Sequence, residues 1–243
     1  MGQYAVIDRR TPSGTSLEPE LYPDGYVIVV DKPYGWTSAD AVRKIKFGLQ
    51  KRYRLRNVKV GHAGTLDPLA TGVLLVCVGK ATKVSESLQS ERKEYLAEVT
   101  FGATTPSFDK EQEIDARYPY EHITLENVRA VLESMHGVQH QLPPVYSAKY
   151  VDGVRAYEKA RQGEAVELRT SEINIYGTQV VDFALPVLKV AVQCSKGTYI
   201  RAFARDLGTA LGSGAYLTGL VRTVSGGFSI DNALSIQEIE TLY

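Results

Sequence analysis

The chain has 243 residues, 44% of them hydrophobic and 23% charged, with 28 basic and 28 acidic side chains for a formal net charge of zero. That length permits one large domain or two ordinary ones with a sizeable core, and the balance is that of a soluble globular protein. No apolar run approaches the ~18 residues of a membrane span, residues 1–10 lack the apolar region of a secretory signal, and Cys77, Cys194 and the four histidines fall at no metal or redox spacing. The expected reading is a cytoplasmic protein with two buried thiols.

In chain order, residues 1–24 carry Pro, Gly and Ser with little periodicity and read as a poorly ordered N-terminal extension. Tyr26–Val30 is a short strand rich in β-branched residues, turned by Asp31-Lys32-Pro33-Tyr34-Gly35. Thr37 or Ser38 can cap a helix, with Asp40 in its first turn and Val42, Ile45 and Leu49 on one face. Val73–Val78 is apolar on both faces, the pattern of a central strand. Glu94–Gly102 alternates as another strand. Thr124–Met135 reads as a helix burying Leu125, Val128, Val131, Leu132 and Met135, with Gly137 placed to end it, and Val154–Gln162 as a shorter helix. Leu188, Val190, Val192 and Cys194 share one strand face, and Ser195–Thr198 leads into a helix carrying Ile200, Phe203, Leu207 and Leu211. Strands interleaved with a few helices give an α+β class. Residues 25–243 read as one domain, with no internal repeat and no composition shift.

The charge is neutral in sum but segregated. Between Ala41 and Leu66 lie eight basic residues (Arg43, Lys44, Lys46, Lys51, Arg52, Arg54, Arg56 and Lys59) and no acid, whereas Asp109–Glu126 is acidic. Such a chain can present a basic face to phosphates while neutral overall. Taken alone, a solvated helix face accounts for the cluster better than a phosphate-binding one. The loop that follows is unusual: in Gly61-His62-Ala63-Gly64-Thr65-Leu66-Asp67-Pro68-Leu69-Ala70-Thr71-Gly72, three glycines and a proline surround a lone acid just before a buried strand. Glycines admit conformations closed to other residues and close approach of a ligand, and a loop on a rigid scaffold is a common place for function. By composition alone, a structural turn with Asp67 as a cap accounts for it better than a catalytic loop.

The full string changes that balance, because Gly61–Gly72 strongly resembles the catalytic motif of the TruB family of tRNA pseudouridine synthases. Further blocks follow at ordered intervals over about residues 25–235: Asp31–Ser38, similar to a segment that shapes the catalytic loop from behind; Lys93-Glu94-Tyr95; Thr105-Pro106-Ser107-Phe108-Asp109, with Ser107 in place of a second Thr; Pro143–Lys149; Cys194–Arg201; and the weaker Leu220-Val221-Arg222-Thr223. Ordered blocks are far more specific than one short motif.

The resemblance implies a pseudouridine synthase fold, a mostly antiparallel mixed sheet flanked by helices and loops. It implies isomerisation of uridine 55 in the T arm of tRNA, without cofactor, ATP or metal, on a base flipped out of its stack. Asp67, Tyr95 and Arg201 would be the catalytic set. Asp67 must be ionised, and Arg201 would hold it so. Tyr95 and Tyr199 would form the base pocket, Leu220 would close its apolar side, and His62 would contact RNA beside the flipped base. Lys32 and Lys149 would join Arg43–Arg56 as phosphate contacts. The partner is tRNA, with no membrane and no obligate protein partner, and the protein is expected to act as a monomer. Two departures stand out: no C-terminal RNA-binding domain of the PUA type is expected after Ser235, and Val221 occupies a place where a basic residue is frequent. Two other readings remain: a guide-dependent pseudouridine synthase, and a T-arm RNA chaperone or binding module.

Overall fold

The computed structural model describes residues 4–146, 150–151, 154–155 and 168–242. They form two compact units, Met1–Tyr95 with Val221–Tyr243, and Leu96–Leu220. Composition marks neither crossing because both fall inside strands, Lys93–Phe101 (β5) and Ala215–Ser225 (β13), rather than in linkers.

In the first unit, β1 (Ala5–Ile7) runs parallel to β2 (Tyr26–Lys32), and β2 runs antiparallel to β4 (Ala70–Val78). The last residues of β13 follow β4 and pair with β14 (Phe228–Ser229), while β3 (Val60–Ala63) pairs antiparallel with β4. β4 is buried except at Thr71, so side chains on both of its faces are out of water, as its apolar pattern requires. Val27, Val29, Val73, Leu75 and Cys77 build one core cluster with Ala63 and Leu88. Burial pushes the Cys77 thiol up to about 11, as befits an inert buried thiol.

Helix α1 (Ser38–Tyr53) starts where Thr37 and Asp40 close a capping box, and buries Ala41, Ile45 and Leu49. Two short helices, α2 (Ser85–Ser90) and, near the C-terminus, Ile236–Glu240, complete this unit. The expected disorder of residues 1–24 is corrected for the described part. Besides β1, Leu17 is fully buried, its nitrogen donates to the Tyr53 hydroxyl at 2.9 Å, and its carbonyl accepts from the Tyr26 hydroxyl at 2.7 Å. Bonds from side chain to backbone order a segment that has no hydrophobic period to read.

In the second unit the order is β13, β5, β12 (Val187–Cys194), β11 (Ser171–Ala184) and β8 (Gly137–Gln141), with β11 antiparallel to β12 and β8. The alternation read from β12 is realised, since Leu188, Val190, Val192 and Cys194 are all fully buried. Each of the leucine and valine side chains among them contributes about 1.5–3 kcal/mol of burial. Helix α3 (Leu125–Ser134) is capped by Thr124 and Asn127, and Gly137 follows it at φ 90°. Helix α4 (Ile200–Ala210) buries Phe203, Ala204 and Leu207, and the C-terminal helix of the first unit is α5 in chain order. Two small pairings, β6 (Ala103–Thr104) with β7 (Ala116–Arg117) and β9 (Tyr150–Val151) with β10 (Val154–Arg155), complete it. The helix expected at Val154–Gln162 begins on β10, and residues 156–162 lie outside the described residues. The class is α+β with mainly antiparallel pairing, as expected. Among the described residues no helix is long and apolar enough to cross a membrane.

Candidate active site

Asp67 sits in the loop between the paired strands β3 and β4, half-buried, and the loop is tied down residue by residue. Ser38, in the first turn of α1, donates its hydroxyl to the Leu66 carbonyl at 3.1 Å and accepts from the Leu66 nitrogen at 2.9 Å. Of the two expected caps, Thr37 caps the helix, which leaves Ser38 free to hold the loop. The Asp67 carbonyl accepts from the Ala70 nitrogen at 3.1 Å, and the Pro68 carbonyl accepts from the Gly35 nitrogen at 2.9 Å. The Asp31–Ser38 segment thus backs the loop, in line with what the family resemblance implied. The Asp31 carboxylate also accepts from the Gly72 nitrogen at 3.1 Å.

Lys32 takes a different place from the phosphate contact expected of it. Its side chain is fully buried, and the ammonium donates to the carbonyls of Trp36 at 2.6 Å, Pro33 at 3.0 Å and Pro68 at 3.4 Å. A cation with no solvent exposure and three carbonyl partners anchors backbone; it offers no surface to a phosphate. Burial pushes it down to about 8, with nearby Arg222 adding to the drop and the Asp67 carboxylate opposing it.

Tyr95 lies on β5, half-buried, and His62 on β3, opposite Val76. These two belong, with Lys32 and Asp67, to the first unit, while Tyr199, Arg201 and Leu220 belong to the second. Tyr199 is the N-cap of α4, pinned through its backbone: its nitrogen donates to Gln141 Oε1 at 2.8 Å and its carbonyl accepts from Gln141 Nε2 at 3.1 Å. Arg201 is 4% exposed in the first turn of α4. Within its unit it donates to the carbonyls of Tyr146 at 2.9 Å and Ser107 at 3.2 Å, and its Nε lies 3.6 Å from Asp109 Oδ2. Leu220 is half-buried on β13. Lys149 lies outside the described residues.

Two residues acquire a place that sequence reading did not give them. Asp109 fixes Arg201 and is itself held by Ser107, whose hydroxyl donates to Oδ1 at 2.6 Å, and by the Glu111 nitrogen at 2.9 Å. The sequence signal was present, as Asp109 closes the Thr105–Asp109 block. Arg222, in the last block, is 1% exposed and hydrogen-bonds to the Asp67 loop. A lone arginine in a strand gave no sign of it. The basic run also changes: Arg43 pairs with Asp40, and Lys44 with Glu240 at 2.6 Å, so two of its cations are compensated from outside the window. Lys51, Arg52, Arg54, Arg56 and Lys59 remain exposed.

Residues 51–200 match the family model for TruB family pseudouridylate synthase (N terminal domain). The tRNA pseudouridine synthase B of Parabacteroides distasonis is 52% identical over 216 residues, which cover 89% of this chain and 92% of the relative. That of Flavobacterium johnsoniae is 45% identical over 225 residues, covering 92% and 98%. Among solved structures, a Cbf5-Nop10-Gar1 complex contains a chain 27% identical with a TM-score of 0.66, covering 98% of this chain and 62% of that one. An H/ACA RNP bound to a substrate RNA containing 2'-deoxyuridine contains one 26% identical at TM-score 0.63, covering 94% and 58%. This chain therefore spans only about three fifths of those two solved chains.

Proposed function

We infer that this protein, which belongs to the TruB family of pseudouridylate synthases, is a tRNA pseudouridine synthase that isomerises uridine 55 of the T loop. The reaction breaks the bond from ribose C1' to N1 of the uracil and forms one from C1' to C5; C5 loses its proton and N1 gains one, so substrate and product have the same atoms. The target base leaves its stack at a cost of a few kcal/mol, less in a loop than in a duplex. A folded loop with splayed bases is the kind of RNA a protein reads specifically.

The observation that carries this reading is the Asp67 loop. The backbone on either side of Asp67 is held at residues 66 and 68 by Ser38, Gly35 and Lys32, and bonds of that kind suit an acid that must meet one carbon at a set distance. Asp67 supplies the catalytic carboxylate, and Tyr95, Tyr199 and Arg201 are the further residues proposed to act on the flipped base. His62 contacts RNA beside it, and Leu220 packs against its apolar side. The exposed cations in the last turn of α1 and just beyond it, Lys51, Arg52, Arg54, Arg56 and Lys59, take phosphates. The protein acts in the cytoplasm, as a single chain and without a guide RNA. In support, the two tRNA pseudouridine synthases B are 52% and 45% identical to this chain, against 27% and 26% for the two solved chains.

The test is purified protein with a bare T-arm stem-loop, the uridines labelled with tritium at C5. Tritium release in proportion to pseudouridine at position 55 is expected. Modification at another position, or dependence on an added guide RNA, refutes the reading.

A further inference from the structure

Arg222 stands first, by volume, among the fully buried side chains of the described residues. A guanidinium taken out of water destabilises the fold unless its donors are satisfied, and here all the acceptors are backbone. Nε donates to the Val73 carbonyl at 2.7 Å, Nη2 to Gly64 at 3.1 Å and Nη1 to Thr65 at 3.4 Å. Gly64 and Thr65 lead into the Asp67 loop and Val73 leads out of it, so one planar fork bridges both arms. The loop's glycines are shaped to this approach. A Cβ on Gly72, at φ 98°, would overlap the Arg222 carbonyl and lie 2.8 Å from its nitrogen. Gly64 has φ 89°, with its Cβ position 3.6 Å from Arg222 Nη1.

We propose that Arg222 is a positioning residue for the pseudouridylation reaction, clamping the two arms of the Asp67 loop so that the carboxylate meets the flipped base in register. The proposal rests on the reading of Asp67 as the catalytic carboxylate. A lysine cannot replace this clamp, because a point ammonium lacks the flat fork that reaches carbonyls on both arms at once. Ser38 and Lys32 hold the loop tip from one side only, at residues 66 and 68. Arg222 sets the span between its ends. Misplacement of a reacting group by ~1 Å costs on the order of 100-fold in rate.

The test uses the full chain with R222K, R222Q and R222M, read beside D67N. Single-turnover rate, affinity for the T-arm stem-loop, thermal melting and amide exchange over residues 64–73 are measured. R222M is expected to lose about 100-fold in rate and R222K and R222Q about 10-fold or more, each folded at the assay temperature and binding RNA within about threefold of the parent. Exchange should rise over residues 64–73 and stay unchanged over β12 and α4. A folded R222M with a rate within about threefold of the parent overturns the proposal, as does a loss carried by RNA affinity. Global unfolding of all three variants also overturns it, since a clamp on one loop leaves the sheets standing. Full activity in D67N sinks the reading of Asp67 instead, and is distinguished from failure of the clamp, in which D67N is inactive and the Arg222 variants are normal.

Discussion

Asp109→Asn isolates the charge in the buried pair with Arg201. The two side chains are 6% and 4% exposed, and Arg201 Nε lies 3.6 Å from Oδ2. The substitution keeps shape and leaves an oxygen to accept from the Ser107 hydroxyl and the Glu111 nitrogen, so the loss is chiefly electrostatic. At an effective dielectric of about 20, unit charges at that separation attract by about 4–5 kcal/mol. Part of this is offset, because a neutral amide costs less to bury than a carboxylate. The Tyr146 and Ser107 carbonyls also continue to hold the guanidinium. A net loss of about 2–3 kcal/mol follows. With a urea m-value of roughly 2–3 kcal/mol/M, the midpoint falls by about 1 M. Because Arg201 is proposed to act at the base, the rate should fall at least about 10-fold while RNA affinity holds. Ser107→Ala, which removes only the hydroxyl donor to Asp109, should show a smaller loss of both. A midpoint within about 0.2 M of the parent together with an unchanged rate would refute the reasoning.

Lys32 gives a dependence on pH. Its folded value of about 8 lies below the ordinary 10.5, so the native state binds this proton more weakly than the unfolded chain. The resulting penalty is full below pH 8 and is relieved as pH rises toward 10.5. Between pH 7 and 9.5 the parent should gain on the order of 2 kcal/mol relative to Lys32→Met, read from urea midpoints of both at each pH. A relative loss over that interval contradicts the assignment. Gly72→Ala forces a side chain onto the Arg222 backbone at a positive φ and should cost about 3 kcal/mol in denaturation; a cost under about 1 kcal/mol would show that the two strands separate easily. Charge reversal at the exposed Arg52 and Arg54 should weaken tRNA binding and flatten the plot of log affinity against log salt by roughly 1.5. An unchanged slope would remove these residues from the RNA-binding face.

What the sequence made legible follows from period and local chemistry. The strand face Leu188–Cys194, the doubly buried β4 and the capped starts of α1 and α3 all carry signals within a few residues. The end of α1 carries none, because Arg54 takes the left-handed cap at φ 52° where glycine is the usual mark. Residues 5–17 are held by a three-residue parallel strand and by the hydroxyls of Tyr26 and Tyr53, none of which leaves a period. At the proposed site, Asp67 stands out in the sequence as a member of an ordered set of motifs. The purpose of the cations around its loop does not. Lys32 reads as a surface phosphate contact until its fold buries it against three carbonyls, and Glu240 meets Lys44 from the far end of the chain. Burial and long-range pairing are properties of the assembled sheet, and no local window contains them.

Asp67 is the proposed catalytic group on which every other role depends. The most direct measurement is Asp67→Asn in the full chain, assayed for pseudouridine in a T-arm stem-loop alongside its affinity for that RNA. Pseudouridine formation is expected to be abolished while binding stays within about threefold of the parent, since an amide keeps the shape of the carboxylate and loses its charge and nucleophilicity. Pseudouridine formed at the parent's rate would contradict this role for Asp67.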